Sequence, residues 1–218
     1  MNLATGRAVI NSIVLGATPS ARAQQPPILI DADHPRREAV EQFIARRFLA
    51  VHGARISCFM PHLIAVFDAA GEVLAAVGMR AAADEALFLE NYLDSPVERA
   101  VADKAGLCGI VDTGMRSRIA EIGNLASIDR RASRQLFTLL TRQLHADNFE
   151  WAVFTGCSSL QRMFKTLGIE TICLGRALQA RLPHDQQTWG SYYEDSPRVV
   201  AGRVSGGRIA FVDHPVAA

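Results

Sequence analysis

Apolar residues along the chain fall into short strand-like runs and longer runs with helical spacing, in an order that predicts mixed α/β structure. After Pro26-Pro27 the pattern opens at Ile28-Leu29-Ile30. Val40, Phe43, Ile44 and Phe48 then recur at helical spacing, with Asp31 or Asp33 placed to cap a helix, Pro35 in its first turn and Gly53 at its end. Residues 62–68 and 72–80 form strand-like runs joined by Ala69-Ala70-Gly71, an antiparallel hairpin, and 86–90 reads as a further strand. Ser95-Pro96-Val97-Glu98 starts a helix running to about Gly106, with Ser95 as its cap. A central strand follows at 118–128, then a helix carrying Leu136, Leu139, Leu140 and Leu144 that ends near Asn148. Next come a strand at 150–155, a helix from Ser158 or Ser159 to Gly168, and a strand at 170–175. From Arg176 to Ala201 the pattern is less regular, and residues 209–212 suggest an edge strand. The expected architecture is α/β (α+β), a single mixed, partly antiparallel sheet flanked by helices, with residues 1–26 a flexible extension and 27–218 the folded domain.

The central strand breaks its own pattern. Among Ile, Ala and Leu it carries Glu121 and Gly123, which a purely structural buried strand has no reason to include. A glycine inside a strand signals a bulge that frees an amide, and a buried carboxylate has a perturbed proton affinity, so Glu121 is the first candidate for a proton acceptor. The structural alternative is a buried salt bridge from Glu121 to Arg80 or Arg118. Arg80 and Glu90, placed at the ends of neighbouring strands, form a second pair of interest, either in the site or bonded to each other at its rim. Arg118 and Asn124 flank Glu121. Arg130, Arg131 and Arg134 crowd the start of the next helix, where cations oppose the macrodipole and a phosphate between them would resolve the conflict. Residues 130–135 contain no glycine, so this corner suits a single phosphate rather than a wrapped pyrophosphate; a solvated helix face is the alternative. Trp189, Tyr192 and Tyr193 gather as a roof over a pocket or as a packing lid.

Composition narrows the field. With 23 Lys plus Arg against 22 Asp plus Glu, a net charge of +1 gives no general attraction to nucleic acid or an anionic membrane, so any anion site is local. Cys58, Cys108, Cys157 and Cys173 form no CxxC pair, which points to a reduced, cytoplasmic protein with neither zinc knuckle nor disulfide framework, and no metal is expected. Cys157, at a strand-to-helix junction, is taken as a plain buried or capping thiol. A short run at 8–17 followed by Ala21-Arg22-Ala23 has a signal-like form, but Asn11 and Ser12 interrupt it. No run is long enough for a membrane span, and no P-loop, HExxH or GxSxG sequence occurs.

The run Glu121-Ile122-Gly123-Asn124-Leu125-Ala126-Ser127 resembles the signature of the thermostable hemolysin family. The likeness extends to residues 59–68 (FMPHLIAVFD), 77–82 (VGMRAA), 87–94 (LFLENYLD) and 189–197 (WGSYYEDSP), in order, over roughly the last four-fifths of the chain. The same layout resembles, more distantly, the acyl-homoserine lactone synthases and Gcn5-type N-acyltransferases. Those resemblances imply a Gcn5-type acyltransferase-like fold, a CoA or acyl-carrier-protein thioester as co-substrate, and a small-molecule acceptor. Arg80 and Glu90 fall where the lactone synthases carry an arginine and an acidic residue; together with the residue pattern this makes Glu121, Arg80 and Glu90 the candidate catalytic residues, with Gly123, Asn124, Arg130, Arg131 and Arg134 on the cofactor side. Two departures stand out: Asn124 occupies the place of an arginine in the lactone synthases, and residues 57–61 replace their acidic pair, so S-adenosylmethionine is only an alternative co-substrate. The expected function is acyl transfer from a thioester to a small amine, with Glu121 accepting the proton and an amide near Gly123 polarising the carbonyl. The alternatives are an S-adenosylmethionine-using synthase, a membrane-active haemolysin as the family name implies, and a binding protein without catalysis.

Overall fold

The computed structural model describes residues 24–107, 114–166, 168–183 and 188–208. Its frame is a seven-stranded sheet in the order β1-β2-β3-β4-β5-β7-β6. The strands are β1 (Ile28–Ile30), β2 (His62–Phe67), β3 (Val73–Ala81), β4 (Ile119–Ser127), β5 (Trp151–Gly156), β6 (Thr171–Arg176) and β7 (Arg198–Arg203). All neighbours run antiparallel except β4 and β5, whose crossover contains helix α3 (Arg130–Ala146). The mixed, partly antiparallel sheet expected from the pattern is therefore the fold.

The central strands are apolar on both sides because helices cover both faces. On one face α3, α4 (Ser158–Thr166) and α5 (Val204–Arg208) pack with Leu74, Val77, Met79, Ala120, Leu125 and Phe154. On the other, α1 (Arg37–His52) covers the β1 to β4 half, while α2 (Val97–Lys104) and a short 3-10 helix (Phe88–Tyr92) cover the β5 to β7 half. Val40, Phe43, Ile44 and Phe48 are the buried stripe of α1, and Gly53 ends it in the left-handed conformation at φ +67°. Asp68 shapes the β2–β3 turn by accepting the amides of Ala70 and Glu72, both at 2.9 Å.

Several expectations need correction. Neither Asp31 nor Asp33 caps α1, which starts after Arg36 without a side-chain cap, and α2 starts after Pro96 with no bond from Ser95. Residues 86–90 are not a strand: the 3-10 helix begins at Phe88 because the Glu90 carboxylate reaches back to the Leu87 amide at 2.8 Å. The irregular stretch before Ala201 contains β7, which inserts between β5 and β6. The edge strand expected at 209–212 lies outside the described residues. So does most of the extension expected at 1–26, although Gln24 is bridged to Asp68 and its side chain donates to Asp129 at 2.8 Å.

Candidate functional site

The parallel pairing of β4 with β5 lasts only from Ile119↔Trp151 to Ile122↔Phe154. Beyond it β4 continues to Ser127 paired only with β3, and β5 continues to Gly156 paired only with β7, so the two strands part. At the parting point β4 bulges. Between the pairs Ala76↔Ala126 and Gly78↔Gly123 it spends one more residue than β3. The left-handed residue of the bulge is Asn124, at φ +51°, not the glycine beside it. Asparagine tolerates that conformation, and its side chain is put to use: Oδ1 accepts the Met60 amide at 2.8 Å. Asn124 thus fixes the segment leading into β2.

A cavity of about 190 Å³ runs through this gap. On the α1 side its lining includes Met60, Arg80, Phe88, Tyr92, Glu121 and Trp189. On the α3 side it is bounded by Leu140, Leu144, Phe154, Leu160, Phe164 and Ile169, an almost wholly apolar end. One space therefore joins a charged chamber to a greasy one across the sheet.

Glu121 sits in the charged chamber and is 3% exposed. It lies on the face of Ile119 and Val153 rather than that of Ala120 and Ile122, since side chains alternate along a strand. Its Oε2 accepts the Phe88 amide at 3.1 Å and its Oε1 the Leu89 amide at 3.0 Å. Arg80, directly opposite in register, brings Nε to 3.3 Å from Oε2, but out of line for a hydrogen bond, so the contact is ionic only. Burial pushes the Glu121 carboxyl up; the Arg80 charge and the Leu89 and Phe88 amides pull against it. Of the two salt-bridge partners considered for Glu121, Arg80 is the one observed, while Arg118 pairs with Glu150 at 3.1 Å.

Glu90 is not paired with Arg80. Its partner is Arg116, which approaches both carboxylate oxygens at 2.8 and 2.9 Å, donates also to Glu98, and sends Nε to the Ala82 carbonyl at 2.7 Å. Glu90 further accepts the Leu87 and Val97 amides. Burial disfavours its charge, yet the bonds from Arg116, Val97 and Leu87 outweigh that and hold the carboxyl at about 2. This knot ties down the 3-10 helix whose amides serve Glu121. Nothing in the local sequence marks Arg116, whose partner is 26 residues away.

Above the chamber, Trp189 and Tyr192 line the cavity while Tyr193 packs behind them. Trp189 stands 5.8 Å from Phe88 and 5.4 Å from Tyr192, and the Tyr92 and Tyr193 hydroxyls bond to each other. Burial pushes both of those phenols up, Tyr193 to about 12. The stretch is strapped to the end of α1: the Ser191 amide donates to the His52 carbonyl at 2.8 Å, and a Cβ on Gly190 would meet that oxygen at 1.9 Å. His52 is itself buried, and burial pushes its imidazole down against the opposing charge of Asp195.

The arginines at the start of α3 stand apart from the cavity. Arg130 and Arg131 are exposed and Arg134 half-buried, and none lines the gap. The helix end they crowd is capped from within, the Asp129 side chain accepting the Ala132 amide at 2.7 Å. A phosphate there would meet guanidinium groups rather than a bare ring of amides. Among the described residues no group of three or more His, Cys, Asp or Glu side chains is placed to hold a metal ion, and no helix is long and apolar enough to cross a membrane.

Among solved structures, the acyl-homoserine lactone synthase LasI superposes with a TM-score of 0.60 at 9% identity, over 90% of this chain and 98% of that one. FeeM, an N-acyl amino acid synthase from uncultured soil microbes, gives 0.58 at 13% identity, over 88% and 96%. The CoA-dependent acyl-homoserine lactone synthase BjaI, solved with SAM and isopentyl-CoA, gives 0.54 at 10% identity, over 84% and 85%. At such identities the likeness is one of fold, an acyltransferase-like one. Among curated protein sequences nothing matches the chain. Residues 30–208 match the family model described as thermostable hemolysin.

Proposed function

The chain belongs to the thermostable hemolysin family, and we propose that it is an acyltransferase moving an acyl group from a CoA or carrier-protein thioester to a small amine. The observation that carries this reading is the single cavity through the β4–β5 gap, charged at the Glu121 end and apolar at the other. An acyl chain in the apolar end gains about 0.8 kcal/mol for each methylene removed from water. Its thioester carbonyl then lies at the parting of the strands, where the edge of β4 beyond Ile122 has no ladder partner in β5 and its amides are suited to polarise the carbonyl oxygen. The amine nitrogen attacks the carbonyl carbon, the new C–N bond forms as the C–S bond breaks, and the thiolate leaves. Glu121 takes the ammonium proton through a lone pair not used by the Phe88 and Leu89 amides. Arg80, at 3.3 Å, favours the ionised carboxylate between turnovers.

The charged residues lining the cavity are Arg80, Glu121 and Arg203. One carboxylate facing aromatic rings suits a cationic or amine acceptor. Haemolysis follows in this reading from the product, since an acyl chain joined to a small amine is an amphiphile. Arg130, Arg131 and Arg134 are assigned to the donor's phosphate, and replacing all three by glutamine is expected to raise the donor's apparent binding constant about tenfold while leaving the acceptor's unchanged. The central experiment incubates purified protein with acyl-CoA donors from butyryl to palmitoyl and a panel of primary amines, following thiol release. Release that requires both partners is the expected result. Absence of release with every pair, together with prompt dye leakage from liposomes by the protein alone, would overturn it.

A further inference from the structure

We propose that Met60 sets the size of the amine this site accepts, an inference that rests on the acyl-transfer reading of the same cavity. Gly78 and Gly123 face each other across β3 and β4. A Cβ built on Gly78 would lie 2.6 Å from Met60 Cβ, and one built on Gly123 would lie 2.6 Å from Met60 Cε. The methionine side chain therefore lies across both glycines, root over β3 and tip over β4, in a space that two ordinary residues would fill. Neither glycine has a positive φ, so close approach, not backbone freedom, is what each provides.

The segment is held by three hydrogen bonds with two side chains. Asn124 takes the Met60 amide at 2.8 Å, Arg37 Nη2 donates to the Met60 carbonyl at 2.7 Å, and Arg37 Nη1 donates to the Pro61 carbonyl at 2.7 Å. With the backbone pinned, the adjustable part is the unbranched thioether arm. That arm is 6% exposed and lines the cavity beside Glu121 and Arg80. Glu121 is two residues before Gly123 and Arg80 two after Gly78, which puts both on the face that Met60 covers. An amine approaching a carbonyl at the bulge from the Glu121 side meets the Met60 methyl as its wall. The wall belongs to the acceptor chamber; the acyl-chain end, on the opposite face, does not touch it.

The test uses Met60→Ala and Met60→Leu in the full-length protein, with octanoyl-CoA as donor and ethylamine or 2-phenylethylamine as acceptor. Met60→Ala is expected to raise the ratio of kcat/KM for 2-phenylethylamine over ethylamine by about tenfold or more. Met60→Leu, close in volume but unable to reach Gly123, should raise it about threefold, and the donor chain-length preference should stay as in the wild type. A residue that only packs would lower both acceptors together, and an unchanged ratio overturns the proposal. Should Met60→Ala fail to fold, the ratio for Met60→Leu decides. A second readout needs no turnover: 2-phenylethylamine alone should raise the melting temperature of folded Met60 variants more than that of the wild type. That differential shift without any thiol release would reject acyl transfer and keep Met60 as the wall. Thiol release with neither the ratio nor the shift altered would do the reverse.

Discussion

Glu121 and Glu90 are two carboxylates of one neighbourhood, each with an arginine and two backbone amides, and they are held in opposite ways. Glu90 has an arginine on both oxygens in good line, and its carboxyl is driven down to about 2. Glu121 has an arginine at 3.3 Å that is out of line, and burial drives its carboxyl up. A fully satisfied pair resists any change of protonation, so it suits a structural knot. An under-satisfied buried carboxylate, next to a cavity, is the kind of group that can gain and lose a proton during turnover. The lower-energy knot also serves the other site, since the 3-10 helix it anchors presents the Phe88 and Leu89 amides to Glu121.

The widest separation between the two should come from neutral replacements. Glu121→Gln keeps the size and one acceptor oxygen but removes the base, so turnover should fall by about 10² to 10⁴-fold while the variant stays folded. Circular dichroism beside the thiol-release assay checks both halves. A variant that loses its fold along with its activity would place Glu121 in the same structural class as Glu90.

Breaking the knot should act on stability instead. Arg116→Met leaves the half-buried Glu90 carboxylate without its cation and the Ala82 carbonyl without its donor, at a cost of about 3 kcal/mol, or roughly 6 to 12 °C in melting temperature for a chain this long. The pH dependence carries the sign. Glu90 is lowered in the folded state, so its contribution is fully present above the ordinary value of 4.5 and is lost as pH falls from there through about 2. Glu121 is raised, so its ionised form costs stability once pH passes its unfolded value. Urea melts between pH 2 and 6 should therefore show Arg116→Met with a flatter acid limb than the wild type. An equal loss at every pH would mean that Glu90 never was the linked group.

How much of this contrast is visible in the sequence depends on whether a residue's meaning is local. Glu121 and Gly123 violate a strand pattern within a few positions, and the bulge and the buried carboxylate follow from that violation. That the left-handed position falls on Asn124 does not, because asparagine and glycine both accept it. The strand expected at 86–90 is not formed: Ala86-Leu87-Phe88-Leu89 is a short apolar run, a pattern that a strand shares with a buried helical turn. What bends the segment is the reach of Glu90 to Leu87 and Val97, and the grip of Arg116 from far along the chain. The insertion of β7 between β5 and β6 is a matter of pairing order, which no hydrophobic period encodes.

Smaller changes sharpen the comparison from the side of Arg80. Arg80 is the first influence that opposes burial at Glu121, so Arg80→Gln should move the acid limb of the kcat/KM profile to higher pH, because Glu121 must be ionised to act as base. Activity at the alkaline plateau should change less than activity at low pH. A uniform drop across the profile would assign Arg80 to substrate contact rather than to tuning the carboxylate.

The smallest expected effect is the most discriminating about how the pair is wired. Arg80 Nη1 also bonds Glu85 at 2.9 Å, and the Glu85 side chain is 55% exposed. An exposed partner of this kind contributes at most about 1 kcal/mol, so Glu85→Gln should leave the melting temperature almost unchanged. It should still act on the rate profile, in the direction opposite to Arg80→Gln. With the Glu85 charge gone, the field of Arg80 at Glu121 is less compensated, the carboxylate is favoured, and the acid limb moves to lower pH. The shift should shrink at high salt, since solvent ions already screen the exposed oxygen. A shift toward higher pH would mean instead that Glu85 holds the guanidinium in place beside Glu121, and that losing it lets Arg80 swing away.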